Sequence, residues 1–577
     1  MPAFEKVTSD ANELVFGTLL DGYRRLTIPL FQRSYQWGRK EFLKFQEDLE
    51  AVVSTDASTR FIGAIVAVER PYGPNFPTEY EIVDGQQRLF TIYLTIAAAA
   101  WVTAKRGDAN AAALLLRRYL YLPDLSDSTW NTKLSTSLDD AHEFVDLWKE
   151  ILGISALIKA LGTSRPRPPA APGDAKRSKR ILGQFDRLRK WMEAVWKERG
   201  APGVTEYVGA ATSNLSFVWL SLQDPSSAPK IFESLNNRGM RTTVGDLVRN
   251  EVFARLREDP EQARSLYDHE WREFMSKLEQ RYEAFFFPYG LIVNRNAKKS
   301  ELFATLRALW KADVPAATII ADMSAYVAPF LALAAGTVPA GASPSTARAV
   351  ETFRRFKLPS AVYPFLMQLL HEAFEGRIAE MATIEVLHSI ESFLVRRALC
   401  GFEPTGLHAV FKGLWQDLGG DLSSAAIRAK IGGRKTIQWP SSEQVRIAIA
   451  TKALYGGAVA HYVLAEYDRS LGGDAPQEEA EIEHILPQKL SKHWATVFTA
   501  DQHEKLKDVW ANLVPLTPPM NKELQQAVYE IKRVRFREDS MYKTPRSVAQ
   551  AFDVWTPAAI AARTALLQDF AVQRWPI

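Results

Sequence analysis

The stretch Glu481-Ile482-Glu483-His484-Ile485-Leu486-Pro487-Gln488, followed by Ala511-Asn512-Leu513-Val514-Pro515-Leu516 and then Asn521-Lys522, governs how the rest of the chain is read. A carboxylate beside a histidine, with two asparagines nine positions apart, makes a poor core. It suits one hard metal ion held next to a general base. Phosphodiester hydrolysis needs a base to activate water and a cation to stabilise charge on the phosphate and the leaving oxygen. Glu483 can supply an oxygen ligand, while His484, left uncoordinated, takes the proton near neutral pH. Neighbours on a strand point to opposite faces, but at a strand end both can reach one site. Asn521, on a following helix, offers a second oxygen of the kind Mg²⁺ or Mn²⁺ accepts. Asn512 falls on the second of two strands, where its amide can hold the loop or orient the histidine. Ile482, Ile485, Leu486, Leu513, Val514 and Leu516 supply the apolar backing.

Downstream, Lys532, Arg533, Arg535, Arg537, Lys543 and Arg546 form the densest cationic stretch beside this motif. A domain that cuts nucleic acid needs groups that neutralise phosphate, and Lys522, Arg533, Arg535 and Lys543 are the expected contacts. His493, next to Lys489 and Lys492, reads as a surface residue, and His503 competes with it as a second histidine near the site.

The chain as a whole, 577 residues long, sets the context. The chain is too long for one core and should divide into three or four units. A net charge of +4 is nearly balanced, so affinity for nucleic acid must come from local clusters. A single cysteine, Cys400, rules out an intrachain disulfide and a cysteine-rich zinc site, which fits a reducing cytoplasm. The first residues lack a secretory pattern, and the apolar run Ile92 to Ala104 is short for a membrane span and reads as a buried helix.

In chain order, residues 10–20 read as a short amphipathic helix and Arg25 to Gln32 as an edge strand bent at Pro29. A helix follows over Lys40 to Val53, then strands at Phe61 to Glu69 and Glu79 to Val83. The second strand runs into Asp84-Gly85-Gln86-Gln87-Arg88 and a helix from Leu89 to Lys105. A strand, a polar turn and a helix start offer free backbone N–H groups and a positive dipole end, which suits a phosphate. Asp84 capping the helix and pairing with Arg88 explains the same residues without a ligand. Residues 163–180, rich in proline and then in lysine and arginine, read as a flexible loop. Phe217 to Leu222 is a further strand. Phe232 to Gly239 ends a helix in an Asn-Arg-Gly turn, and a second helix is capped near Thr242–Thr243. From Pro260 to Gly401 the chain is mainly helical.

At this point two resemblances become visible. Glu483-His484-Ile485-Leu486-Pro487-Gln488, Asn512-Leu513 and Asn521-Lys522 resemble the HNH (ββα-metal) nuclease motif in its DUF1524 form. The resemblance implies His484 as general base, Glu483 and Asn521 as metal ligands and Asn512 as support, with Glu standing where Asp is common. Ile28-Pro29, Gln32-Arg33, Tyr35, Trp37, Phe61-Ile62-Gly63, Asp84 to Leu89, Phe232 to Gly239, Asp246-Leu247 and Asn250 resemble the ParB-like DUF262 domain. There the Asp-Gly-Gln-Gln-Arg stretch is linked to binding and hydrolysis of a nucleoside triphosphate. By that likeness Arg33 and Arg88 contact phosphates, Asp84 places Mg²⁺ or water, and Gln86 and Gln87 orient the water or read the nucleotide, with Gln32 and Gly85 completing the site. The two domains in one chain are similar to GmrSD-type modification-dependent restriction enzymes and to phosphorothioate-sensing SspE proteins.

The expected fold is a mainly helical α+β multidomain protein. It has a ParB-like N-terminal α/β domain (1–255), a helical middle (256–429) and a C-terminal helical domain with an HNH motif (430–577). The expected function is an NTP-regulated DNA endonuclease of antiphage defence, cytoplasmic and without membrane contact. Its cofactors would be Mg²⁺ or Mn²⁺ and GTP or another NTP. Its substrate would be modified DNA: a sugar-modified, methylated or hydroxymethylated base, or a phosphorothioate backbone. A homodimer would serve double-strand cutting. A nucleotide-regulated DNA-binding protein with a non-catalytic HNH part, and an RNA-targeting effector, are the rival readings.

Overall fold

The computed structural model describes residues 10–54, 59–70, 77–123, 129–162, 165–167, 179–222, 243–256, 259–311, 313–356, 359–434, 437–476 and 479–577. It is mainly helical, with a small mixed sheet. The chain divides into two compact units, Met1–Tyr267 and Asp268–Ile577. The Phe232 to Gly239 turn, and residues 168–178 of the proline-rich and basic stretch, lie outside the described residues.

The described strands of the first unit are β1 (Asp10–Val15), β2 (Arg24–Thr27), β3 (Arg60–Arg70), β4 (Thr78–Asp84), β5 (Tyr121–Pro123), β6 (Thr129–Thr132), β7 (Leu134–Ser135), β8 (Arg165–Arg167) and β9 (Leu215–Leu222). Six of them form one mixed sheet in the order β1-β9-β3-β4-β2-β7, and β5-β6-β8 form a second sheet. Residues 10–15 are therefore a strand and not the start of a helix. They run antiparallel to β9, with Leu14 opposite Phe217, and the helix is only Phe16–Leu20. A ready neighbour in β9 decides the matter, because strand preference follows context more than sequence. The strand expected to reach Gln32 stops at Thr27, two residues before Pro29, whose nitrogen has no hydrogen to donate to a ladder.

β9 lies between β1 and β3 and is buried along nearly its whole length, which is why it reads as a continuous apolar run. Strand alternation splits β3 between two clusters. Ile65 and Ala67 join the main core, whereas Val66 and Val68 pack with Leu220 and Leu222. The main core is organised around the helix Gln86–Lys105, which is buried on all sides from Leu89 to Ala100. Its alanines Ala97 to Ala100 have no bulk to hold a neighbour away, and the helical segment Arg180–Gly209, kinked at Gly200, packs against it.

Among its described residues the second unit is helical apart from one hairpin, β10 (Glu481–His484) and β11 (Leu513–Leu516). The apolar stretch Ala316–Ala335 has the length and hydropathy of a membrane span. It is broken into two helices, Ala316–Ser324 and Val327–Ala335, which bury Ile319, Ile320, Met323, Phe330 and Leu333. Deeper in this unit the Glu391 carboxylate, fully buried on the helix Glu380–Leu399, accepts from Tyr462 Oη at 2.6 Å and Trp575 Nε1 at 2.8 Å, and pairs with Arg574 at 2.9 Å.

Gly85 is the one residue that lets β4 turn into the central helix. Its φ is +87°, and a Cβ there would lie 2.7 Å from Ile65 Cγ1. Gly85→Ala should cost about 2–4 kcal/mol, combining left-handed strain with overpacking. Thermal unfolding of the purified protein measures it, and an unchanged transition would remove this role.

Candidate functional site

Two polar sites, one in each unit, contain the residues expected from the sequence. In the second unit, β10 and β11 run antiparallel with Glu483 opposite Val514 and His484 opposite Leu513, and the helix Pro518–Leu524 follows. The order along the chain is strand, strand, helix. Ile485, Leu486, Leu513, Val514 and Leu516 are all fully buried beneath it.

Glu483 and His484 are both nearly buried, and each meets a different partner. The Lys532 ammonium, from the helix Tyr529–Glu538, has no exposure. It donates to Glu483 Oε1 at 2.5 Å and to the carbonyls of His484 at 2.6 Å and Ile485 at 3.2 Å. Burial pushes the Glu483 carboxyl up and the Lys532 amine down, and their mutual attraction opposes both shifts. Lys532 thus faces inward, away from any phosphate.

The His484 ring turns the other way. Its Nε2 lies 3.0 Å from Asp508 Oδ1, and Tyr455 sits edge-on to it with centroids 4.4 Å apart. Burial lowers the imidazole pKa, and Asp508 works against that shift.

Asn512 is fully buried and uses its whole amide. Oδ1 accepts from the Leu486 N–H at 2.7 Å and from Trp555 Nε1 at 3.1 Å. Nδ2 donates to the carbonyls of Leu486 at 2.8 Å and Lys507 at 2.7 Å. It therefore clamps the turn after His484 and, among the described residues, makes no hydrogen bond to the ring. His503 completes that turn with a 2.8 Å contact from Nε2 to the Pro487 carbonyl. Arg563, also buried, donates to the carbonyls of Ala511 and Leu513 and fixes the start of β11.

Asn521 Nδ2 donates to Glu481 Oε2 at 2.7 Å. Glu481 and Glu483 share one face of β10. The structure thus joins Asn521 to Glu481 directly, while Glu483 is engaged by Lys532. Among the described residues, no three His, Cys, Asp or Glu side chains cluster as metal ligands, so an ion here would depend on Asn521 and water as well as carboxylate.

The cations expected to face DNA differ in their partners. Arg533 pairs with Asp553, and Arg535 with Glu523 and Asp539. Lys522 is exposed and Lys543 half-buried, and neither makes an ion pair among the described residues.

In the first unit, β4 ends at Asp84 and the central helix begins after Gly85, with no capping side chain among the described residues. The first-turn N–H groups therefore keep their donor capacity. Asp84 is half-buried. Burial raises its pKa, while the Gly85 N–H and the charges of Arg88 and Arg33 pull it back. Arg88 Nη1 donates to the Ala64 carbonyl at 2.7 Å, and its guanidinium lies flat against Gly63 (φ +118°), where a Cβ would come within 2.9 Å of Cζ. Arg33 reaches Asp246 at 3.6 Å, and Asp246 also holds Arg249 at 2.9 Å.

The two glutamines of the turn fasten the strap Gln32–Trp37. Gln87 Oε1 accepts the N–H of Gln36 at 2.7 Å and of Trp37 at 3.3 Å, and Gln86 Nε2 donates to the Arg33 carbonyl at 3.1 Å. Gln32 Nε2 donates to the Val83 carbonyl at 3.1 Å. Gln86 Oε1 is buried with no hydrogen-bond partner among the described residues. Asp140 holds the strap from behind, accepting the Tyr35 N–H at 2.7 Å, and burial raises its pKa to about 7.

Asp508, Tyr455 and Asp140 carried no signal in the sequence. Tyr455 and Asp140 reach their sites from distant segments, and Asp508, four residues before Asn512, had no partner to mark it until the fold set it beside His484.

Residues 16–253 match the family model for the GmrSD restriction endonuclease N-terminal domain, and residues 439–570 match that for the GmrSD restriction endonuclease C-terminal domain. No curated protein matches the chain. The two matched domains define a restriction endonuclease, an enzyme whose substrate is DNA. The chain belongs to the GmrSD family.

The Lys532–Glu483 pair gives a direct test of what holds the hairpin. Lys532→Met strands a buried carboxylate and should cost about 3–5 kcal/mol. The double variant Lys532→Met/Glu483→Met should lose less than the single one. Chemical denaturation monitors both, and additive losses would contradict the pairing.

Proposed function

We propose that this protein is an NTP-regulated endonuclease that senses modified DNA and nicks or cuts it in the cytoplasm as an antiphage defence. The observation that carries the reading is the end of the β10–β11 hairpin. His484 is held there by a carboxylate on one ring nitrogen, on the strand that also carries Glu481 and Glu483, and Asn521 on the helix that follows donates to Glu481.

The side chains fit a hard divalent ion: carboxylate and amide oxygens, with no thiolate. Glu483 and Asn521 would hold Mg²⁺ or Mn²⁺, with Glu481 beside Asn521 as a further oxygen donor. When bound, the ion supplies positive charge for the phosphate and the leaving oxygen. His484 accepts the proton of the attacking water. Asn512 serves the chemistry at one remove, by fixing the turn that carries His484. Lys522 and Lys543 would neutralise phosphates, joined by Arg533 and Arg535 once DNA competes for their acidic partners.

In the first unit the uncapped helix start beyond Gly85, flanked by Arg33 and Arg88, supports binding of the phosphates of GTP or another NTP. Asp84 would position Mg²⁺ or water. Gln32, Gln86 and Gln87 would hold the strap against the nucleotide. An unregulated nuclease endangers its own cell, so a nucleotide-dependent switch has a clear use. Two copies would serve double-strand cutting, while nicking needs one site.

The test is cleavage of matched plasmids, unmodified or carrying sugar-modified, methylated, hydroxymethylated or phosphorothioate DNA, with and without each NTP and divalent metal. Metal-dependent cutting of one modified substrate, altered by an NTP, is expected. His484→Ala should lower the rate by about 10²–10⁴-fold, and cutting at the wild-type rate would remove the base assignment. Asp84→Ala and Arg88→Ala should each abolish NTP turnover with the unfolding transition retained. Unchanged turnover in both would return the Asp84–Arg88 turn to a plain helix start.

A further inference from the structure

We infer that Asp508 is a positioning residue for His484, selecting the ring tautomer and leaving Nδ1 as the proton acceptor; this rests on the nuclease reading above. Asp508 Oδ1 lies 3.0 Å from His484 Nε2. A carboxylate only accepts hydrogen bonds, so Nε2 must carry the hydrogen and the lone pair falls on Nδ1. The Gln488 amide nitrogen stands 3.5 Å from the same Nε2, at the limit of a hydrogen bond, and does not compete with the shorter contact.

Asp508 is itself held in place. Its carbonyl accepts the N–H groups of Leu454 at 2.8 Å and Tyr455 at 3.2 Å, and Ala453 bridges to Val509. The same short segment that grips the Asp508 backbone places the Tyr455 ring against the imidazole, at 65° to its plane. Asp508 fixes which nitrogen is protonated, and Tyr455 limits how the ring can rotate. The Asp508 side chain is about one-quarter exposed, so it is not a core residue whose loss must unfold the unit.

In the reaction, water gives a proton to Nδ1 while its oxygen bonds to phosphorus. The bond from phosphorus to the leaving oxygen breaks, and that oxygen takes a proton from solvent. The imidazolium formed faces the Asp508 carboxylate, which stabilises it as the charge appears.

The experiment uses full-length protein with ¹⁵N-labelled histidine, the His484 signal being identified by its loss in His484→Ala. Long-range ¹H–¹⁵N spectra of the wild type should show the Nε2–H tautomer, and Asp508→Ala should shift it toward Nδ1–H. In DNA cleavage, Asp508→Asn and Asp508→Ala should lower kcat by about 10- to 1000-fold with KM and the unfolding transition unchanged, and Asp508→Glu should restore part of the rate. A wild-type His484 in the Nδ1–H form, or the same tautomer and kcat in Asp508→Ala as in the wild type, would overturn the inference. Should the wild-type protein fail to cut any DNA, the nuclease reading falls, and the tautomer measurement still decides whether Asp508 positions His484.

Discussion

A single ammonium group underlies the geometry of the second site. Lys532 lies wholly out of water and spends its hydrogens on the Glu483 carboxylate and on the carbonyls of His484 and Ile485. A buried charge is stable only when paired and fully hydrogen-bonded, so this contact cannot relax without exposing a carboxylate and two carbonyls to an apolar interior. The end of β10, where the chemistry is expected, is therefore fixed by electrostatics more than by a long sheet. Four residues per strand would not hold it alone.

The same device recurs nearby with other groups. Arg563 grips two carbonyls at the start of β11, Asn512 grips the turn after His484, and Arg396 donates to the carbonyls of Trp575 and Pro440. Each supplies a side-chain donor to backbone carbonyls at the ends of elements or in the turns between them. In the first unit both directions occur, because there the helix side chain Gln87 accepts two N–H groups of a strap while Gln86 donates to one of its carbonyls. Both sites thus rest on side chains bonded to backbone, an arrangement that fixes loops at the accuracy chemistry requires.

How much of this could be read beforehand depends on how local the cause was. The two strands of the hairpin, the long buried helix after Arg88 and the glycine at its start follow from residues close in sequence, and the expectations there match the structure, except that Asn512, expected on the second strand, lies in the short 3-10 turn Trp510–Asn512 just before it. β1 was misjudged because its partner, β9, lies some two hundred residues away. The glutamines of the Asp84–Arg88 turn carried a chemical meaning in the sequence, and the structure adds a mechanical one. Lys532 stood in a run of cations where its neighbours are exposed or half-exposed, and nothing in that run marked it as the inward-facing one. Asp508 was invisible for a related reason: an aspartate between a lysine and a valine has no pattern until the fold brings it to a histidine.

Asn512 shows what such dependence implies for the lifetime of the molecule. Its amide nitrogen faces two carbonyl oxygens, and its oxygen faces two N–H groups. Hydrolysis of that amide to a carboxylate, a common form of chemical ageing in proteins, would put a negative charge where two donors are needed. The chain would differ by one atom in the side chain and its coding sequence not at all, yet the turn beside His484 would lose its clamp. Packing that immobilises the asparagine also shields it, so the residue is protected for as long as the fold around it stays closed.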